Sequence, residues 1–302
     1  MLLTNDFLLR HCSILAMGSG SPEGGSSPNE TYNIYGELVD IPESSAQVSI
    51  IKAFCKSRYF FKKYPSSFVG FVASPGKHPS AIYSQLMMAG LTLYGYYRSS
   101  CSARLRIALD LKDIAYKSVY VDLNNGEQFK DEYVLKNPSR SVPTLMIEDT
   151  WAIPQSMAAL AYLEEAYSNS TPLLPGDAKS RADVRTLTDI IAIDIQQPTN
   201  DRVIKRAESL GADQMEWSQF FTETGLKAFE TVVSKTAGKY CCGDMITLAD
   251  VCLVPALWNA EKFGVSLEPF PTICRVYAVL QDHPSFKKSH WQQQPDCPEE
   301  LR

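Results

Sequence analysis

The 302-residue sequence lacks several features that define specialised classes of protein. No apolar run approaches the roughly 20 residues that a membrane-spanning helix needs. Four histidines accompany eight cysteines without a repeated spacing, so neither a metal site nor a disulfide scaffold is predicted. A net charge of −5, with acids and bases interspersed, argues against a nucleic-acid surface. These absences favour a small-molecule partner and a reducing compartment.

The composition that is present predicts a soluble globular protein. Hydrophobic residues make up 45% and aromatic residues 11% of the chain, which is enough for two packed cores at this length. We predict three segments: an extension over residues 1–88, a first domain over 89–172 and a helical domain over 176–298.

Residues 1–88 show no recognisable domain, and a glycine-, serine- and proline-rich stretch covers 18–28. We expect this extension to be disordered, or to be an upstream translation of a gene whose natural start is Met87 or Met88. The first sixteen residues are apolar with Arg10, but Asp6 interrupts them. The expected location is therefore cytoplasmic, or mitochondrial if the extension is a targeting segment.

From Leu91 onward the hydrophobic pattern is regular. It predicts the order β-α-β-α-β-β-α up to about Tyr167, and then a wholly helical region. The fold class is thus α/β followed by all-α. The helices of the second region are predicted over 178–196, 213–236, 247–262 and 271–281, and Thr247 with Asp250 forms a capping-box pattern before the third of these.

Ser99, Ser100 and Cys101, here called the serine–cysteine cluster, lie where an apolar strand gives way to a helix. Unpaired N–H groups and the helix dipole at such a start stabilise a thiolate or a carboxylate. The cysteine itself could be the nucleophile, because a helix N-terminus lowers a thiol's pKa. A CxxC redox centre is excluded, since Arg98 and Arg104 occupy the positions three residues away. The alternative is a serine N-cap followed by a buried structural cysteine.

Several motifs in order along residues 89–302 resemble the zeta class of soluble glutathione transferases, the maleylacetoacetate isomerases. They are Ser99-Ser100-Cys101-Ser102 with Arg104 and Arg106-Ile107-Ala108-Leu109, Asn137-Pro138, Val142-Pro143-Thr144-Leu145, Gln155-Ser156, Tyr162-Leu163-Glu164-Glu165, Leu173-Leu174-Pro175, Gly243-Asp244, Thr247 to Asp250, and the terminal Gln294-Pro295-Asp296 with Glu300-Leu301. The resemblance implies a thioredoxin-like domain, a helical substrate-binding domain, glutathione as cofactor, and a homodimer.

The resemblance also implies roles for individual residues. Ser99 donates a hydrogen bond to the glutathione sulfur, and Cys101 aids isomerisation as a pocket residue. The residues implied to bind glutathione are Ser99, Ser100, Cys101, Gln128, Val142, Gln155, Ser156, Gln196 and Asn200. A cis peptide bond is expected before Pro143. Lys262, Arg98 and Arg104 are implied to hold the substrate's carboxylates, although Arg104 and Arg106 could instead be plain charges on the helix surface.

The activity implied is the glutathione-dependent isomerisation of maleylacetoacetate to fumarylacetoacetate in phenylalanine and tyrosine breakdown. Two alternatives stay open: a transferase acting on α-halo acids or other electrophiles, and a non-catalytic transferase-like interaction module. The sequence departs from the family at Ala103, in place of tryptophan, and at Lys262, in place of arginine. We expect Ala103 to open space beside the helix and Lys262 to keep the charge without arginine's bidentate geometry.

Overall fold

The computed structural model describes Ile14–Leu15, Thr31–Tyr32 and residues 90–302. The chain divides into two units, Met1–Met87 and Met88–Arg302. In the first unit, strands β1 (Ile14–Leu15) and β2 (Thr31–Tyr32) pair antiparallel. The prediction that residues 1–88 lack a domain otherwise lies outside the described residues.

The first half of the second unit has the predicted β-α-β-α-β-β-α order. Its elements are β3 (Leu91–Gly95), α1 (Ser100–Leu111), β4 (Lys117–Tyr120), a 3-10 turn at Glu127–Phe129, α2 (Asp131–Val134), β5 (Thr144–Ile147), β6 (Trp151–Ile153) and α3 (Ser156–Ala166). The strand order is β4-β3-β5-β6, with β3 parallel to β4 and antiparallel to β5. This small mixed sheet confirms the thioredoxin-like prediction, and β3 in its middle is buried at four of five positions.

The second half is helical, as predicted. It contains α4 (Ala178–Asp189) continued by a π-helix at Ile190–Ile195, α5 (Asp201–Glu208), α6 (Gln214–Val233), α7 (Leu248–Lys262), α8 (Pro271–Leu280), α9 (Pro284–Ser289), and 3-10 turns at Trp291–Gln293 and Glu299–Leu301. The sequence does not predict α5 or α9. Helix α5 has eight residues, of which only Ile204 and Ala207 are buried, and α9 has six residues, so each is too short and too polar to stand out as a helix in the sequence.

Helix α7 lies at the centre of the helical region and packs against α1. Twelve of its fifteen residues are buried, so it belongs to the core on nearly all sides. The predicted capping box at its start is confirmed. The Asp250 carboxylate accepts from the Thr247 N–H at 2.8 Å and from the Cys241 N–H at 2.9 Å. Burial raises the pKa of Asp250, and these hydrogen bonds oppose that effect.

No helix in the described part of the chain is both long enough and apolar enough to cross a bilayer.

A buried ion pair in the first half of this unit anchors the segment that leads into the second half. Lys112 Nζ, after the end of α1, lies 2.6 Å from Glu164 Oε1 of α3, and the two side chains are 1% and 10% exposed. Lys112 also donates to the Thr171 carbonyl at 2.9 Å, and the Glu164 carboxylate accepts from the Leu173 N–H at 3.1 Å. The Leu173 carbonyl in turn accepts from the Leu248 N–H at the start of α7. The pair therefore fixes the segment between α3 and α4 against α1 and α7.

Removing one partner of this pair should destabilise the fold strongly. Glu164→Gln leaves a buried ammonium without its anion, so we expect a loss of about 3 to 5 kcal/mol in the free energy of unfolding, measured in urea. The neighbouring Glu165 is exposed and provides the matched control, Glu165→Gln. Equal losses in the two variants would contradict the structural role of the pair.

Candidate functional site

The serine–cysteine cluster forms the start of α1. Ser99 is the N-cap, and its Oγ accepts a hydrogen bond from the Ser102 N–H at 3.1 Å. This bond leaves the hydroxyl proton of Ser99 free to be donated. Ser100 and Cys101 are partly exposed, and the first turn of α1 contains no acidic residue. The positive end of the helix is therefore open to an anion.

Arg104 connects the start of α1 to the start of α3. Its Nη1 donates to Ser156 Oγ at 3.3 Å and lies 4.0 Å from Met157 Sδ. The Arg104 side chain is 1% exposed, and Arg106 is also buried. Both arginines therefore lie in the interior, and the alternative of helix-surface charges is wrong. The burial of Arg104 also leaves it little surface for a substrate carboxylate, so we reassign it from substrate contact to support of Ser156.

The second helix start of the site follows β6. Gln155 is the N-cap of α3 with an extended backbone, and its exposed side chain makes no capping hydrogen bond. Like α1, α3 has no acidic residue in its first turn. Before β5, the Val142-Pro143 peptide bond is cis, which confirms the prediction, and Val142 is half-buried. The polar groups of Gln155 and Val142 are thus available for a ligand.

Gln128 lies on the 3-10 turn before α2. Its Nε2 donates to the Leu123 carbonyl at 3.4 Å, and its Oε1 is buried without a hydrogen-bond partner. A buried acceptor of this kind is costly unless a donor completes it. Gln128 therefore fits a site whose ligand carries N–H groups.

The other predicted residues lie apart from these. Gln196 follows the π-helix and accepts from Gln197 Nε2, while Asn200 caps α5 by accepting from the Arg202 N–H. Lys262 is exposed at the end of α7, with its Nζ 5.6 Å from the ring of Phe263. Within residues 90–302, no hydrogen bond joins Gln196, Asn200 or Lys262 to the cluster or to Ser156. Their assignment to the site stays a prediction.

Arg98 immediately precedes the cluster and is half-buried. The centre of its guanidinium lies 3.8 Å from the ring centroid of Trp291, a cation–π contact. Burial lowers the pKa of Arg98, and Tyr97 and Cys297 nearby oppose that shift. Sequence reasoning assigned no role to Trp291 or to Asp296, whose carboxylate accepts from the Tyr97 N–H at 2.8 Å. The terminal Gln294-Pro295-Asp296 motif was the only signal for Asp296, and Trp291 had none.

Two residues beside the cluster belong to the core. Ala103 is 1% exposed and packs among the apolar side chains, so the expectation of open space beside the helix is wrong. Burial raises the pKa of Cys252 to about 11, with Arg104 opposing, so its thiol stays protonated at neutral pH. In the described part of the chain the six cysteines are free thiols, and no group of three His, Cys, Asp or Glu could hold a metal ion.

Two family models match the chain: the glutathione S-transferase N-terminal domain at residues 98–166 and the C-terminal domain at residues 193–289. The chain belongs to the glutathione S-transferase family.

Within that family, the chain is similar to several maleylacetoacetate isomerases. A maleylacetoacetate isomerase of Aspergillus fumigatus is 49% identical over 219 residues, covering 70% of this chain and 95% of that protein. The mouse maleylacetoacetate isomerase is 46% identical, covering 70% and 96% respectively. Among solved structures, a zeta-class maleylpyruvate isomerase is 36% identical with a TM-score of 0.65, covering 68% of this chain and all of that one. The Anaeromyxobacter dehalogenans maleylacetoacetate isomerase, solved with glutathione in its active site, is 41% identical with a TM-score of 0.63, covering 69% and 98%.

The bond between Arg104 and Ser156 should be measurable as an energetic coupling. Ser156→Ala removes a hydrogen-bond partner of the buried Arg104 cation. In an Arg104→Met background that hydrogen bond is already absent, so the same change removes no further bond. We expect the two losses in unfolding free energy to be non-additive by about 0.5 to 3 kcal/mol in a double-mutant cycle. Ser168 is exposed, so Ser168→Ala with Arg104→Met provides an additive control. Additivity in the Ser156 cycle would show that the two residues do not act together.

Proposed function

We propose that this chain catalyses the glutathione-dependent cis–trans isomerisation of maleylacetoacetate to fumarylacetoacetate, a step of phenylalanine and tyrosine breakdown. The observation that carries the proposal is the free hydroxyl of Ser99 at the open N-terminus of α1. Relatives that bear this activity in their names are 46 to 49% identical over nearly their full length.

Glutathione fits the groups that the chain leaves unsatisfied. The start of α3, with Gln155 and Ser156, receives the γ-glutamyl carboxylate, because its N–H groups face no acidic side chain of their own turn. Val142 offers its backbone N–H and C=O to the cysteinyl residue in the manner of a β-strand. The unpaired Oε1 of Gln128 accepts from the glycyl N–H. Ser100 and Cys101 line the sulfur's surroundings, while Gln196 and Asn200 contribute from the helical domain.

When bound, glutathione supplies a thiolate that adds reversibly to the cis double bond, which becomes single and free to rotate. The chain's own task is to favour the anionic sulfur. The Ser102 N–H holds Ser99 Oγ, so the Ser99 hydroxyl can direct its proton toward the sulfur. Cys101 contacts the substrate, and Lys262 with Arg98 holds its carboxylates. The buried Arg104 positions the Ser156 hydroxyl by donating a hydrogen bond to its Oγ.

The domains are bounded at 89–172 and 176–298, and the active protein is a homodimer in the cytoplasm. Free thiols at all six cysteines of residues 90–302 suit a reducing compartment.

Light scattering on the full chain should give twice the mass of one subunit, whereas the mass of one subunit would contradict the dimer. Mass spectrometry of the native N-terminus tests whether residues 1–88 are present in the cell.

The activity test compares the purified chain with maleylacetoacetate in the presence and absence of glutathione. We expect isomerisation only with glutathione. Equal rates in both would overturn the proposal. Turnover of α-halo acids without isomerisation would identify a transferase, and failure to bind glutathione-agarose would identify an interaction module.

The role of Ser99 as a hydrogen-bond donor to the glutathione sulfur can be separated from its role as a helix cap. Ser99→Gly removes the hydroxyl donor, and because glycine is itself a favoured N-cap residue the helix start is retained. We expect kcat to fall about a hundredfold, as for loss of one preorganised hydrogen-bond donor, with nearly unchanged glutathione affinity. Ser99→Thr keeps both functions and is the matched control. An unchanged kcat in Ser99→Gly would assign the sulfur's donor to another residue.

A further inference from the structure

The chain ends in a segment that is folded onto itself without regular secondary structure over most of its length. This segment, residues 290–302, is called the C-terminal strap here. Gln294 Nε2 donates to the carbonyls of Lys288 and His290, both at 2.9 Å, and Arg302 Nε donates to the Cys297 carbonyl at 3.2 Å. Gln294 and Cys297 are buried. These hydrogen bonds anchor the strap to itself and to the end of α9.

The strap contacts the loop that precedes the Ser99 hydroxyl. Asp296 Oδ2 accepts from the Tyr97 N–H at 2.8 Å, across 199 positions of sequence. Trp291 stacks on the guanidinium of Arg98, the residue between Tyr97 and Ser99. Ser99 closes the loop, since its N–H donates to the Tyr96 carbonyl at 3.1 Å. The strap thus holds Tyr97 and Arg98, the two residues immediately before Ser99, whose hydroxyl acts on the sulfur.

Arg106 fastens the same loop from the other side. Its Nη1 donates to the Tyr96 carbonyl at 3.4 Å, and its Nη2 donates to the Tyr97 carbonyl at 3.2 Å and the Ser289 carbonyl at 3.4 Å. Ser289 is the last residue of α9, directly before the strap. The buried guanidinium therefore joins the loop to the base of the strap.

This arrangement is costly for the fold. Arg98 Nη1, Arg106 Nε and Asp296 Oδ1 are buried side-chain atoms without hydrogen-bond partners. Burial raises the pKa of Asp296 and lowers that of Arg106 to about 10. Charged groups buried with incomplete partners contribute little to the stability of a fold. Arg98 belongs to the loop that leads to Ser99, and Asp296 and Arg106 are both hydrogen-bonded to the backbone of that loop.

We propose that Asp296 and Trp291 are positioning residues of the active site: Asp296 fixes the Tyr97 backbone and hence Ser99, and Trp291 fixes Arg98. The inference rests on the proposed roles of Ser99 and Arg98. Asp296 acts on the sulfur through Ser99, and Trp291 acts on the dicarboxylate substrate through Arg98. The two residues should therefore affect different kinetic parameters.

The experiment uses the full chain and two variants. For Asp296→Ala we expect kcat to fall about ten- to hundredfold with the KM for glutathione unchanged, because a small displacement of a catalytic group is enough to slow the reaction. For Trp291→Leu we expect a higher KM for maleylacetoacetate and an unchanged KM for glutathione. Asp296→Asn keeps an acceptor for the Tyr97 N–H and should recover most of the lost kcat. Glu300 is exposed in the same strap, and Glu300→Ala is the matched control.

A second readout does not depend on activity. Hydrogen–deuterium exchange at the Tyr97 amide should accelerate about tenfold or more in Asp296→Ala and stay at the wild-type rate in Glu300→Ala. Exchange and kcat both unchanged in Asp296→Ala would overturn the proposal, as would equal effects in Glu300→Ala. If Asp296→Ala does not fold, Trp291→Leu decides: an unchanged KM for maleylacetoacetate then counts against the proposal. A wild-type chain inactive on maleylacetoacetate would contradict the proposed function and leave the exchange test valid.

Discussion

The burial of α1 is the constraint on which the rest of the structure depends. This helix carries the serine–cysteine cluster at its start and packs between the sheet of the first domain and α7 of the second. Eight of its twelve residues are buried, among them two arginines. The packing of α1 in the core consequently sets the position of its first turn. The hydroxyl of Ser99, the N-cap of that turn, is positioned by the same packing.

Burying arginines inside such a helix requires partners, and the partners lie in the parts of the chain that form the site. Arg104 is bonded to Ser156 at the start of α3, and Arg106 to the loop carbonyls and to Ser289. Lys112 beyond the end of α1 pairs with Glu164 in the same way. Three cations along one helix thus hold the second helix start, the loop before Ser99, and the junction between the domains. The bonds of Arg104 and Arg106 align elements that the proposed chemistry uses, and those of Lys112 hold the segment between the domains.

Much of this could be predicted from local patterns. The alternation from Leu91, the Ser99 cap and the Thr247 capping box depend on residues a few positions apart, so the order of strands and helices and the start of α1 follow from the sequence. The environment of Arg104 could not be predicted, because an arginine beside apolar neighbours on a helix has the same local pattern whether it is solvated or buried. The Asp296 contact joins residues 199 positions apart, and no local period encodes it. The burial of Ala103 could not be predicted either, because it depends on side chains from other parts of the chain that pack against it.

The central claim is that the start of α1, through Ser99, favours the anionic form of the glutathione sulfur. Ultraviolet absorbance of the thiolate, followed while the pH of the glutathione-saturated chain is raised, measures this directly. The account predicts half-ionisation at least about one pH unit below that of free glutathione in the same buffer, because a helix N-terminus and a hydroxyl donor both stabilise a thiolate. Half-ionisation at the same pH as free glutathione would contradict it.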